Sequence, residues 1–96
     1  MRVVYHPAVQ RDVNRILRRY DAVSKRLGDE FWEELQTFIR RTSQNPGRSH
    51  FDKSGLRRVN LARFPYHFLF REFSDRIRIT VLRHHKRHPD YGISRR

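Results

Sequence analysis

Ninety-six residues suit one domain with a small core, and 36% hydrophobic residues, among them seven Phe, four Tyr and one Trp, are enough to build it. Lys and Arg number 22 against 10 Asp and Glu, and the resulting net charge of +12 points to a polyanion or an acidic protein as partner. The lack of cysteine excludes disulfides, thiolate catalysis and Cys-based zinc sites. No run reaches the ~20 apolar residues of a membrane span and no signal-peptide pattern opens the chain, so a single cytoplasmic domain over residues 1–96 is expected.

Arg2-Val3-Val4-Tyr5 is a short β-type run ended by His6-Pro7, and Pro7 suits the first turn of a helix, where its missing N–H is harmless. Val9, Val13, Ile16, Leu17 and Tyr20 then recur at helical spacing, with Arg11, Arg15, Arg18 and Arg19 mostly off the stripe. A second stripe runs through Leu27, Phe31, Leu35, Phe38, Ile39 and Thr42. Either Ser24 caps this helix, leaving Gly28 inside its first turns, or Gly28 ends the first helix and Asp29 caps the second. The link is short in both cases, so the helices should pair antiparallel. Asn45-Pro46-Gly47 ends the second helix, and residues 46–55 read as loop.

Leu56 to Leu61 reads as a strand, Phe64-Pro65 as a break, and Tyr66 to Phe73 as a strand that Ser74-Asp75 turns back into Arg76 to His84. The order β-α-α-β-β-β predicts an α+β fold, an antiparallel sheet packed on one face by a helical hairpin. With the turn at Ser74-Asp75, Arg71 faces Arg78, Leu69 faces Thr80 and His67 faces Leu82. Alternation then puts Phe68, Phe70, Ile77, Ile79 and Val81 under the helices. His67, Leu69, Arg71, Arg78, Thr80, Leu82 and His84 fall on the other, open face. Arg71 opposite Arg78 is an unfavourable like-charge pair that an anion would relieve. A basic tail, His84-His85-Lys86-Arg87-His88-Pro89-Asp90-Tyr91, follows.

Taken together, these segments resemble the RelE/ParE superfamily of small bacterial toxins. The resemblance runs through the early strand with Pro7-Ala8 and Asp12-Val13, and through the Gly28…Phe31…Leu35…Ile39…Asn45-Pro46-Gly47 helix. It continues in Leu56-Arg57-Arg58-Val59, Arg63-Phe64-Pro65-Tyr66-His67-Phe68-Leu69-Phe70 and Val81 to Tyr91. It implies the toxin of a type II toxin–antitoxin pair, with a role in plasmid stabilisation and growth inhibition. It also implies a cognate antitoxin that wraps the toxin and assembles it into larger oligomers. RelE-like members cut messenger RNA at the ribosome, whereas ParE-like members poison DNA gyrase. The paired helices and Phe64-Pro65-Tyr66 lean toward the ParE-like branch. The alternatives are a RelE-like endonuclease and a basic nucleic-acid-binding module without toxicity.

A RelE-like nuclease needs a base for the 2′-OH, cations for the phosphorane and a donor to the leaving oxygen, with no metal or other cofactor. By resemblance, Lys86 and Arg87 match the basic pair after the last strand, Tyr91 lies near a tyrosine used by some members, and Arg63 sits one residue beyond a strand arginine. On the chemistry of the side chains, His67 and His84 are the acid–base candidates, with His50 and Asp52 weaker ones. Arg58, Arg63, Arg71, Arg78, Lys86 and Arg87 are the expected target-binding cations. An antitoxin is expected on Leu69, Leu82 and Trp32, with carboxylates over Arg71, Arg78 and Arg87.

Overall fold

In the computed structural model, which describes residues 1–96, strand β1 (Arg2–Tyr5) leads into helices α1 (Ala8–Val23) and α2 (Lys25–Gln44). A 3-10 turn (Pro46–Arg48) follows, then strands β2 (His50–Phe51), β3 (Arg57–Asn60), β4 (Tyr66–Glu72) and β5 (Arg76–His84). The His6 ring caps the first turn of α1, its Nδ1 accepting from Ala8 N at 3.0 Å. Ser24 alone joins the helices, and its hydroxyl accepts from Leu27 N at 3.0 Å, so it is the α2 cap. Gly28 therefore lies inside α2, where a side chain would overlap the Asp21 carboxylate. Residues 46–55, expected as loop, contain β2, which pairs His50 and Phe51 with Arg58 and Arg57.

The sheet order is β1-β5-β4-β3-β2, antiparallel throughout except that β1 runs parallel to β5. The helices supply Val9, Val13, Ile16, Phe31, Leu35 and Ile39 to a core completed by Phe68, Phe70, Ile77 and Ile79 from the sheet. Fully burying side chains of this size contributes roughly 1.5–3 kcal/mol each. Tyr20, Phe31, Phe64 and Tyr66 add an aromatic cluster with centroids 5.1–6.1 Å apart.

The β4–β5 hairpin turns where expected: Phe73 N donates to Arg76 O at 2.8 Å, and Arg71 pairs with Arg78. Beyond that pair the register departs from strict alternation. Phe70 faces Ile79 but Leu69 faces Val81, so Thr80 is an extra residue in a β-bulge. A one-residue slip moves every later side chain to the opposite face. Val81, expected under the helices, joins Leu69 and Leu56 on the reverse face. Leu82, expected on the open face, enters the helix-side core. His67 consequently faces Arg83 rather than Leu82, and His84 turns toward Tyr66, edge-on at 5.1 Å.

The reverse face is covered as well. Residues 85–96 fold back across it and pack Tyr91 and Ile93 on Leu56, Leu69 and Val81. Leu69, Leu82, Thr80 and His67 are all 2% exposed or less, which corrects the expectation that they lie on an open face.

Candidate functional site

Three features could carry function: a polar clamp beside β5, a histidine–arginine cluster on the reverse face, and a groove beside α2. The clamp exists because β1 is short. His6 N donates to Ile79 O at 2.8 Å, and then the chain turns away into α1, leaving the outer edge of β5 without a partner strand. Asp12, buried on the apolar stripe of α1, replaces it: Oδ2 accepts from Leu82 N at 3.1 Å. Arg95 Nη1 donates to Thr80 O at 3.1 Å and to Asp12 Oδ2 at 2.6 Å, while Nη2 reaches Oδ1 at 3.2 Å. The Tyr91 hydroxyl donates to Oδ1 at 2.7 Å. The hydrogen bond to Asp12 raises the Arg95 pKa.

On the reverse face, Arg83 is only 4% exposed. Its Nη1 donates to Pro89 O at 2.7 Å and Tyr91 O at 3.1 Å, tying down the C-terminal segment. Its Nε donates to His67 Nε2 at 2.9 Å. His67 therefore carries its proton on Nδ1, as this network assigns it, and donates to His85 Nδ1 at 3.0 Å, the rings stacked 5.2 Å apart. Burial, then Arg58 and Arg83, push the His67 pKa down to about 3, so it is neutral near pH 7. Exposed His85 is also lowered, by burial first and then by Arg58 and His84. Arg58 lies 3.4 Å from His85 Nδ1 and pairs with Asp52 at 3.3 Å, and Asp52 lies 3.9 Å from Arg83. The chemistry available here is a neutral imidazole pair held among guanidiniums, with one nitrogen of His85 left over. No three His, Asp or Glu side chains converge as metal ligands would.

Of the sequence-derived site residues, His84, Arg87 and Tyr91 line one small pocket beside α1, and the others are dispersed. His67 is on the reverse face with Arg58, while His84 turns to the helix side, where its Nδ1 accepts from Lys86 N at 3.0 Å. Arg87 and Lys86 are exposed, and the Arg87 guanidinium lies 4.0 Å from the centroid of the Tyr91 ring. Arg63 is engaged with Glu30 at 2.8 Å, and its backbone N–H, with that of Ala62, donates to Glu34, fastening the β3–β4 loop to α2. Arg71 is exposed, and Arg78 donates to Arg96 O at 2.8 Å. His50 is exposed on β2, and Asp52 belongs to the Arg58 cluster. Sequence reasoning missed Asp12, Arg83, His85 and Arg95 as organisers. One signal was available: Asp12 interrupts the Val9–Val13–Ile16 stripe, and an acid on an apolar face needs a cationic partner.

The groove opens between β1, the start of α1, and α2. It is a cavity of about 270 Å³ lined mainly by apolar side chains, with Tyr5, Val9, Trp32, Leu35 and Ile39 among them. Trp32 and Tyr5 are each 44% exposed. His6 stands at its edge in a cationic field: burial, then Arg78, Arg95 and Arg11, lower its pKa. An apolar trough beside guanidiniums fits an amphipathic, acidic segment.

The architecture is the ParE-like α+β fold, two helices against a five-stranded, mostly antiparallel sheet. The chain is similar to a chain in the solved structure of the chromosomal ParDE TA system from P. aeruginosa, with a TM-score of 0.75 and 16% sequence identity. The likeness covers 88% of this chain and 95% of that one. No protein-family model and no curated protein matches the sequence. No helix is long and apolar enough to cross a membrane.

Proposed function

We propose that this chain is the toxin of a type II toxin–antitoxin pair, a growth inhibitor directed at DNA gyrase and held inactive by an antitoxin. The observation that carries the reading is the likeness of nearly the whole fold to a chain of a ParDE TA system. The groove beside Trp32 supports the antitoxin part: an amphipathic segment would bury its apolar side there and set carboxylates near Arg78 and Arg11. Arg71, exposed and paired with Arg78 across β4 and β5, is a further cationic position on the sheet.

The gyrase branch is supported over the nuclease branch by the state of the histidines. Both nitrogens of His67 are occupied and its pKa is about 3, so it is a poor acid or base near pH 7. His84, Arg87 and Tyr91 line a pocket to which Arg58 and His67 do not contribute. One observation keeps a metal-independent, ribosome-dependent endonuclease as a second reading: exposed His85 beside Arg58 offers an imidazole and a cation to an RNA backbone.

Induced expression without antitoxin separates these readings. Arrested growth with DNA breaks and intact messages is the expected result. In-frame cuts across translated messages would transfer the assignment to the nuclease, and undisturbed growth would sink both in favour of a plain nucleic-acid-binding module.

A further inference from the structure

A second pocket, distinct from the Trp32 groove, lies between α1 and the exit from β5. It has a volume of about 90 Å³, roughly that of three waters in the liquid. Arg15 and Arg19 reach it from consecutive turns of α1, His84 from the end of β5 and Arg87 from the segment that follows, with Tyr66 and Tyr91 as aromatic walls. Asp12 is the one carboxylate in the lining, and it is already spent: Oδ1 takes Tyr91 and Arg95, and Oδ2 takes Leu82 N and Arg95. None of Arg15, Arg19 and Arg87 forms an ion pair. Arg15 donates to the Tyr91 hydroxyl at 3.1 Å, and Arg87 lies over the Tyr91 ring. His84 Nδ1 accepts from Lys86 N, which leaves Nε2 as a donor when the ring is neutral.

Three guanidiniums without carboxylate partners around one small cavity repel one another in the folded chain, and an anion relieves that. The geometry selects among anions. A planar carboxylate is satisfied by a single bidentate arginine, whereas a tetrahedral phosphate presents oxygens in several directions and carries more charge. Donors arriving from a helix, a strand end and a loop match the tetrahedral group. We infer that the pocket bounded by Arg15, Arg19, His84 and Arg87 is a phosphate-binding site. The phosphate comes either from a nucleic-acid backbone or from a small phosphorylated molecule. The pocket uses neither the groove nor the His67 cluster, but it takes in His84, Arg87 and Tyr91, on which the RelE-like resemblance also draws.

The test is a titration of the isotope-labelled full chain at constant ionic strength, first with inorganic phosphate and then with a short 5′-phosphorylated single-stranded oligonucleotide. Saturable amide shifts centred on Arg15, Arg19, His84, Arg87 and Tyr91 are expected with both. The Arg15→Gln/Arg87→Gln double variant should bind at least about tenfold more weakly. Arg19→Gln, at an exposed side chain with no hydrogen bond to lose, should weaken binding without altering the fold. If the oligonucleotide binds more tightly than phosphate and loses that advantage in the variants, the source is a nucleic-acid backbone. Equal affinities assign the site to a small phosphate. Shifts spread evenly over the basic surface, an affinity unchanged by all three substitutions, or pocket shifts with an acidic peptide but not with phosphate would overturn the inference.

Discussion

Asp12 is the only carboxylate in the buried interior, and four donors converge on its two oxygens. Removing it leaves Leu82 N–H without a partner and strips the Arg95 guanidinium, still bonded to Thr80 O and the Tyr91 hydroxyl, of its counter-charge. Asp12→Ala should therefore cost about 3 kcal/mol or more, read from urea denaturation. A loss below about 1 kcal/mol would mean that the clamp contributes little. His67 sets a pH dependence whose sign follows from its depressed pKa. Between its ordinary value of 6.5 and the folded value of about 3, the unfolded chain binds a proton that the folded chain refuses. Stability is thus highest above pH 6.5 and falls as pH drops through that window, by up to about 1.4 kcal/mol per unit from this residue. His67→Gln should flatten the slope between pH 6.5 and 4.5; an unaltered slope would contradict the burial argument. At this scale the sequence was least legible. The residue types are right, but alternation sets His67 on the open face, and Asp12, Arg83 and Arg95 acquire their roles only through contacts across 6 to 83 positions of chain.

Elements were more legible where local chemistry decides them. Helical spacing located both stripes, Ser24 was one of two weighed caps, and Ser74-Asp75 turned the hairpin. Strand faces were legible only as far as the bulge. Nothing local marks Thr80 as an extra residue, because the sequence alternates plausibly in either register. The bulge is selected by tertiary packing, which wants Leu82 under the helices and Val81 under the C-terminal segment. In sequence that segment reads as a basic tail because its charges outnumber its apolar residues, yet Tyr91 and Ile93 pack it on the sheet. Gly92 lets it approach: its φ is +78°, and a Cβ there would lie 2.6 Å from Val81 Cγ2. Gly92→Ala combines left-handed strain with overlap against a buried side chain. It should lower stability by about 2–4 kcal/mol, checked by thermal unfolding. An unchanged midpoint would show that the segment is not docked on Val81.

For the whole molecule, charge and fold inform on different things. The net charge of +12 favours nucleic acid, a nucleoprotein or an acidic antitoxin alike, and it does not choose a target. The proposed gyrase reading takes its support from the likeness of the fold to a chain of a ParDE TA system. The packing adds that residues 85–96 cover the reverse sheet face, while the groove at Trp32 stays open. The α+β order and the helical hairpin were readable from the sequence because they rest on periodicity and breakers. Of the open groove only Trp32 stands out in the sequence, because the rest depends on which apolar residues remain uncovered after folding. The most direct measurement incubates the purified chain with DNA gyrase, ATP and supercoiled plasmid, followed by denaturation and electrophoresis. The account predicts that linear DNA with gyrase attached accumulates in proportion to the added chain. Normal supercoiling with no linear product, alongside cleavage of messenger RNA on programmed ribosomes, would contradict it.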